Sequence, residues 1–234
     1  MNLTNLINSA LDVVLPRRCP VCDATLGGDE RFLCRRCLAA LPRTRLEETE
    51  FNAMEQLFAG KVPVERAAAL FFYEKGSPFA AIIHDIKYNN MAPMGVLMGA
   101  YAVRMMRASG FFDGIDVVIP VPLHADKLAQ RGYNQAERIA HGIAQETGAA
   151  IGKHIVATRP HSTQTQKGAY ERWLNTRDTV AATPRAATEL QGKHVLLVDD
   201  VITTGATIIA CAEALAAIPG ITISIFTLAA ARLE

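Results

Sequence analysis

Two aspartates stand side by side at Asp199 and Asp200, and a short polar run, Thr203-Thr-Gly-Ala-Thr207, follows almost at once. These residue types at this spacing suit a sugar phosphate. The backbone N–H groups of Thr203, Thr204, Gly205, Ala206 and Thr207, with the three threonine hydroxyls, can cradle a phosphate. A helix beginning at Ala206 would add the positive end of its dipole. Gly205 lets the backbone come close to the phosphate oxygens. The two carboxylates are acceptors for vicinal ribose hydroxyls and can also act through magnesium and its waters. A dianionic phosphate would repel the carboxylates if it touched them, so the ribose must lie between. The bland alternative is a strand–turn–helix in which Asp and Thr serve as caps. Paired aspartates also follow strands in phosphoacceptor domains, which have no need of the Thr-Thr-Gly-Ala-Thr continuation. The chain contains neither a Gly-x-x-x-x-Gly-Lys-Ser/Thr loop nor a Gly-x-Gly-x-x-Gly fingerprint.

A second constellation lies near the start. Cys19-x-x-Cys22 and Cys34-x-x-Cys37 are two knuckles joined by a loop with Gly27–Gly28 at its turn. Four thiolates so arranged match a tetrahedral structural zinc site; two disulfides or four unrelated buried cysteines are the alternatives. Arg17, Arg18, Arg31, Arg35 and Arg36 surround the cysteines. They could form a patch for nucleic-acid phosphates, but the thiolates together with Asp23, Asp29 and Glu30 call for local charge compensation, and only Phe32 offers an aromatic platform. Cys211, in an Ala-rich helix, reads as a small core residue.

The elements that must hold these groups follow from the apolar pattern. Val195–Val198 is a continuous apolar run, hence a central strand with the aspartates at its C-terminal end. A helix is expected over 206–218, stopped by Pro219–Gly220, and a strand over 221–228. Asp116–Leu123 is a second buried strand ending in prolines, followed by Lys127, Arg131 and Gly132 in a basic loop. Asn134 is the candidate N-cap of a helix over 135–147, so strand, loop and helix make half of a βαβ unit. Residues 64–73 read as a strand, and 79–88 and 96–107 as helices. His84 reads as an ordinary polar-face residue; His124 is a candidate general base, although a lone histidine beside a strand end is more often a hydrogen-bonded structural residue; and spacing assigns no ligand to Lys87. Residues 158–180 are polar, as befits a lid or a disordered segment, with Trp173 as a packing anchor.

The chain has 234 residues and a net charge of +1; half of it is apolar and 20% is charged. That composition fits a soluble globular protein and gives no global argument for nucleic-acid or membrane binding. Leu3–Val14 has the spacing of an amphipathic helix whose polar side carries no Lys or Arg, which favours packing on its own protein over a membrane surface. The absence of a targeting signal and of a spanning apolar run points to a cytoplasmic protein.

The motif Val195–Thr207 resembles the 5-phosphoribosyl 1-diphosphate (PRPP) motif of type I phosphoribosyltransferases. Together with the four-cysteine module, Pro120-Val-Pro-Leu-His124 and Arg131-Gly-Tyr-Asn-Gln135, it resembles the competence protein F (ComF) family over nearly the whole chain. The resemblance implies an α/β type I phosphoribosyltransferase fold, a mostly parallel sheet flanked by helices, with a small N-terminal zinc-finger module. It implies an N-terminal helix and zinc module over 1–42, a linker over 43–60, and a transferase-like domain over 61–234, with a hood from 61–110 and a core from 111–234. Asp199 and Asp200 would hold the ribose hydroxyls, Thr203–Thr207 the 5-phosphate, and Arg131–Gly132 the diphosphate. Lys87 matches a basic family position. Residues 159–177 would be the mobile loop, with Gln164, Arg172 and Asn175 at family positions.

Two functions remain open at this level. One is transfer of a phosphoribosyl group to an unidentified nitrogen acceptor, with magnesium and Arg131 easing diphosphate departure. The other is a PRPP- or nucleotide-binding factor whose zinc module contacts single-stranded DNA or a DNA-uptake partner. There is no N-terminal cysteine to support glutamine amide hydrolysis. Acceptor and oligomeric state, a homo-oligomer included, are left open.

Overall fold

Val195–Val198 and Ile223–Ala230 present almost no polar side chain to water, so a strand made from either is stable only in a sheet covered on both faces. The computed structural model describes residues 16–89, 91–158 and 180–231. Its elements are α1 (Arg35–Ala39), α2 (Ala53–Gln56), β1 (Ala67–Tyr73), α3 (Ala80–Tyr88), α4 (Ala92–Met105), β2 (Val117–Pro120), α5 (Ala125–Arg131), α6 (Gln135–Thr147), β3 (Ala150–Ile151), β4 (Ile155–Ala157), β5 (Val180–Ala182), α7 (Ala186–Glu189), β6 (His194–Ile202), α8 (Ala206–Ala216) and β7 (Thr222–Ala231). A five-stranded sheet in the order β1-β7-β6-β2-β3 forms the centre, and every pairing in it is parallel. Ser224 and Thr227 are the polar interruptions of β7. Both are buried, and each has a partner: His194 Nε2 lies 2.9 Å from Ser224 Oγ, and Thr227 Oγ1 donates to the Ala229 carbonyl at 3.0 Å.

Each face of the sheet has its own core. On one, Ile82 and Ile86 of α3, Met94 and Met98 of α4, and Ile139 and Ile143 of α6 meet Leu196, Val198, Phe226 and Leu228. On the other, Ile208, Cys211 and Leu215 of α8 meet Val195, Leu197 and Ile225. The first core continues into the cysteine module through Leu26, Leu33 and Leu41. Tyr101 adds a polar tie by donating to the Leu38 carbonyl at 3.2 Å. Cys211 is fully buried in α8, as a small core residue should be.

Residues 43–60 differ from the linker expected of them. Met54 and Phe58 are fully buried in the second core. The polar residues of this stretch have a use that composition alone does not reveal, because they satisfy the free edge of β1. Phe72 N–H donates to Pro42 O at 2.8 Å and Thr44 N–H to Leu70 O at 3.2 Å. Asn52 Nδ2 donates to Ala67 O at 2.9 Å, and Ala67 N–H donates to Glu55 Oε1 at 3.2 Å. Asn52 and Glu55 also form a capping box on α2. An edge strand with its amides and carbonyls answered in this way offers no template to another chain.

Several boundaries shift from those read in the sequence. The helix expected to begin at 96 starts at Ala92, with a proline in its first turn where the missing N–H costs nothing. The basic loop before Arg131 is the short helix α5, capped by His124 Nδ1, which accepts from Asp126 N–H. β3, β4, β5 and α7 are too short to carry a legible period. The expected helix over Leu3–Val14 and the loop residues Gln164, Trp173, Arg172 and Asn175 lie outside the described residues. No helix among the described residues is long and apolar enough to cross a membrane.

Helices α4 and α6 touch backbone to backbone. A Cβ on Gly99 would lie 2.2 Å from Ile139 O, and one on Gly142 would lie 2.0 Å from Val96 O. Replacing a helical glycine by alanine ordinarily gains up to about 1 kcal/mol of helix propensity. Here the methyl meets a backbone oxygen that no rotamer change can move, and overpacking of this kind costs about 1–3 kcal/mol. Gly142→Ala should therefore lower stability by about 1–2 kcal/mol net, read from the urea unfolding midpoint. A neutral or stabilised variant would show that the two helices are not in this contact.

Candidate functional site

The two central strands part company at one level. β2 pairs with β6 only as far as Pro120 opposite Val198, and the last bond is Val121 N–H to Val198 O at 2.8 Å. Pro120 and Pro122 lack the N–H needed to carry the ladder further. β6 continues, paired with β7 as far as Ile202 opposite Ala230. From Asp199 onward one flank of β6 is therefore unpaired, and Asp200 N–H turns to Asp199 Oδ1 at 2.8 Å. α6, which follows β2 after the short α5, covers one face of the sheet, and α8, which follows β6, the other. A crevice outside the strand ends at such a switch point is where open α/β sheets hold ligands.

Two cations from separate elements approach this crevice. Lys87, in the last turn of α3, puts Nζ 3.1 Å from Asp200 Oδ2. Arg131 ends α5; its Nη1 donates to Gln135 Oε1 at 2.8 Å, and its guanidinium lies over the Tyr88 ring, 5.3 Å from the centroid. Gly132 then turns the chain in the left-handed region with φ of 78°. Tyr133 hydroxyl donates to Ile86 O, locking α3 to this turn. Asn134 Nδ2 donates to Val121 O at 2.9 Å while its Oδ1 caps α6 by accepting from Ala136 N–H at 3.0 Å.

The turn after the aspartates is exposed at Thr203 and Thr204 and dives inward at Gly205. Gly205 sits at φ of 73°, a left-handed value that a side chain would strain, and no side chain caps α8 behind it. The first amides of this helix thus have no side-chain acceptor. Ala206 and Thr207 are half-buried at its start.

The Asp199 carboxyl is pushed up to about 7, first by burial and then by the Asp200 carboxylate. The Asp200 N–H and the charges of Lys87 and Arg131 pull the other way. Two acids compete for one partly dry place, which is the environment in which a cation or a hydroxyl-bearing ligand is most useful.

The structure thus brings Lys87, Arg131, Gly132, Asp199 and Asp200 to the rim of one crevice, with Thr203–Thr207 continuing from the same strand end. Gln164, Arg172 and Asn175 fall outside the described residues. Spacing alone missed Tyr88, a largely exposed ring next to Lys87, and Phe58, whose ring would lie 3.4 Å from a Cβ on Gly205. Phe58 was hidden by its polar surroundings.

The cysteine module gathers its four sulfurs within 4.8 Å of one another, and none is in a disulfide. Cys22 and Cys34 sulfurs lie 3.7 Å apart. That is close to the ~3.8 Å edge of a tetrahedron with ~2.3 Å zinc–sulfur bonds. The Cys22 thiol is lowered to about 6, chiefly by the Ala24 N–H aimed at it. The surrounding charges are met locally. Arg18 pairs with Asp23 at 2.7 Å, Arg35 with Asp29, and the Cys22 sulfur holds the Arg36 guanidinium in its charged form. The residues fit a structural zinc ion.

Comparison with known proteins agrees with this geometry. A family model described as a phosphoribosyl transferase domain matches residues 78–232, and one described as a double zinc ribbon domain matches residues 10–48. The DNA utilization protein YhgH of Salmonella typhi is 26% identical over 200 residues, covering 84% of this chain and 77% of its own. YhgH of Escherichia coli K12 is 25% identical over 200 residues, covering 84% of this chain and 83% of its own. Competence protein F of Haemophilus influenzae is 35% identical over 95 residues, 40% of this chain and 41% of its own. A solved structure of the allosteric regulatory enzyme of purine biosynthesis overlaps 58% of this chain at 20% identity and a TM-score of 0.35. The present chain spans only 25% of that structure's length, and so slight a likeness carries no argument.

Two outcomes are expected. An acid whose native value lies above its unfolded value binds the proton more tightly when folded, so its contribution to stability is present below about pH 4 and is lost as pH rises toward 7. The full shift corresponds to about 4 kcal/mol, and partial solvent access reduces this to about 2 kcal/mol. Without added magnesium, Asp199→Asn should therefore match the parent near pH 4 and exceed its stability by about 2 kcal/mol at pH 8. Thermal unfolding across that range checks this, and a variant less stable at pH 8 would refute the crowding of the two acids. For the cysteine module, metal analysis should give about one zinc per chain. Cys34→Ser should lose the metal and, with it, stability, even though the serine hydroxyl can still cap α1 as Cys34 does.

Proposed function

The chain belongs to the phosphoribosyl transferase domain family and fits its competence protein F branch, and we propose that it binds magnesium-PRPP in the crevice at the end of β6 and transfers the phosphoribosyl group to a nitrogen acceptor. The observation that carries this reading is the meeting of opposite needs at one strand end. Asp199 and Asp200 supply acceptors, while Lys87, Arg131 and the uncapped start of α8 supply positive charge on either side of them.

Asp199 and Asp200 accept hydrogen bonds from the vicinal ribose hydroxyls. The amides and hydroxyls of Thr203–Thr207 hold the 5-phosphate, one ribose length away from the carboxylates. Arg131 and Lys87 face the diphosphate, with Gly132 giving the backbone room to approach it. The two carboxylates are hard oxygen donors suited to magnesium, directly or through its waters. When bound with the donor, magnesium neutralises charge on the diphosphate. The nitrogen nucleophile attacks C1 of the ribose as the C1–oxygen bond to diphosphate breaks, and Arg131 stabilises the negative charge that leaves. Residues 61–110 serve as the hood over C1. Tyr88, at the hood's edge, provides an exposed ring beside the crevice.

The names DNA utilization protein and competence protein F carried by relatives favour a second reading: a non-catalytic PRPP- or nucleotide-binding factor serving DNA uptake, with the zinc module meeting single-stranded DNA or an uptake protein. Local pairing of Arg18, Arg35 and Arg36 weakens its direct DNA version. Either role would be exercised in the cytoplasm.

Titration of magnesium-PRPP separates the readings. The parent should bind, and Asp199→Asn/Asp200→Asn should bind at least about tenfold more weakly, a loss of about 1.4 kcal/mol or more. Equal affinities would remove the ribose assignment. Diphosphate release should then appear with at least one member of a panel of nucleobases and amines. Tight donor binding with no release from any acceptor would select the binding factor.

A further inference from the structure

Arg131 is the cation on which departure of the diphosphate depends, yet the helix that carries it does little to hold it. α5 has seven residues and none of them is buried. Leu128, its one large apolar residue, is 42% exposed. A helix this short with no core contact does not settle where its last side chain points. An arginine that is free to wander loses rotamer freedom when it grips a ligand, and one already held loses less.

Two residues from outside α5 hold Arg131. The first is Gln135, which is buried and itself anchored, its Nε2 donating to Tyr133 O at 3.2 Å. Its Oε1 accepts from Arg131 Nη1 at 2.8 Å. One hydrogen bond fixes a point and leaves the guanidinium free to swing about it. The second residue removes that freedom. The Tyr88 ring lies under the guanidinium, 5.3 Å from ring centroid to the guanidinium carbon. That is within the ~6 Å reach of a cation–π attraction.

Tyr88 has no other use in the fold. It is the last residue of α3 and is 61% exposed, so the core does not need it. Its hydroxyl forms no hydrogen bond with a described residue. A single exposed ring is ordinary in itself; what singles this one out is what it touches. His84, one turn earlier on the same helix, lies against it with centroids 5.2 Å apart and braces the ring from α3.

The same helix end also sets the distance between Arg131 and the acids. Lys87, next to Tyr88, puts Nζ 3.1 Å from Asp200 Oδ2. Consecutive residues thus address the acid pair and the arginine. The Tyr133 hydroxyl donates to Ile86 O, which ties this turn to the chain just after Arg131. Among the described residues Arg131 forms no ion pair with Asp199 or Asp200, and apart from the bond to Gln135 its N–H groups find no acceptor. Its charge is aimed but not spent.

We propose that Tyr88 is the positioning residue for Arg131: its ring presents the guanidinium to the diphosphate of the donor and keeps it off the two aspartates. The ring does this and the hydroxyl does not. This role rests on the reading of the crevice as a PRPP site.

Inorganic diphosphate and ribose 5-phosphate, each with magnesium, divide the donor into its two ends. Both are titrated calorimetrically into the full-length zinc-loaded protein. Tyr88→Leu should weaken diphosphate by about three- to tenfold and leave ribose 5-phosphate unchanged. Its urea midpoint should stay that of the parent, since the ring is exposed. Tyr88→Phe should bind both ligands as the parent does. An anion can accept from this residue only at the hydroxyl, so a Tyr88→Phe loss equal to that of Tyr88→Leu would mean direct contact and overturn the positioning role. Diphosphate affinity unchanged in Tyr88→Leu would also overturn it. So would equal losses of both ligands, which mark a merely structural residue. A parent that binds neither ligand would remove the donor site itself and this role with it, a result distinct from any seen only in the variants.

Discussion

Two carboxylates on adjacent residues, at the end of a strand whose neighbour has stopped, repel each other in a place too dry to screen them. Asp199 and Asp200 are in that position, and much of the surrounding structure reads as an answer to it. The last turn of α3 delivers Lys87 to Asp200. The last turn of α5 delivers Arg131, braced by Gln135 and stacked on Tyr88. Both cations sit at helix carboxyl ends, where the dipole also favours them. The bonds from Tyr133 to Ile86 and from Asn134 to Val121 fix α3 and the α5–α6 turn against the end of β2. Lys87 pairs with Asp200 at 3.1 Å, whereas Arg131 is engaged with Gln135 and Tyr88, so the acid pair is only partly neutralised and keeps acceptor capacity.

The same sheet needs a sealed edge, and the cysteine module is part of the seal. Residues 42–44 run beside β1 and answer its amides and carbonyls, while Leu26, Leu33 and Leu41 extend the core beneath α3 and α4. The four cysteines order a segment too short to fold on its own core. The module therefore shapes the α3 side of the crevice indirectly, through Tyr101 and the shared apolar face rather than through a contact with the aspartates.

What the sequence revealed follows from where physics leaves a local trace. The run Val195–Val198, the Cys-x-x-Cys pairs and the Asn134 cap are local patterns, and the structure shows each. The helix over 135–147 is read to the residue because cap, period and terminal glycine agree. The placement of Lys87 against Asp200 has no local trace, since it depends on how α3 crosses the sheet; only the family resemblance pointed to it. Residues 43–60 misled for the opposite reason. Their polar residues are spent on the backbone of β1, so a packed segment has the composition of a linker. β6 runs on to Ile202 because β7 continues to pair with it, a fact no window around Asp199 contains.

Parallel strands with helices returning antiparallel to them give the whole fold an electrical direction. The starts of α6 and α8 lie where β2 and β6 end, but α3 and α5 bring their carboxyl ends, with Lys87 and Arg131, to that same edge. At the carboxyl edge, the start of α8, which no side chain caps, follows Asp199 and Asp200. At the amino edge, the end of α4 lies by a set of glutamates that includes Glu50 and Glu65. A net charge of +1 conceals this polarity, because a whole-chain sum averages two edges of opposite preference.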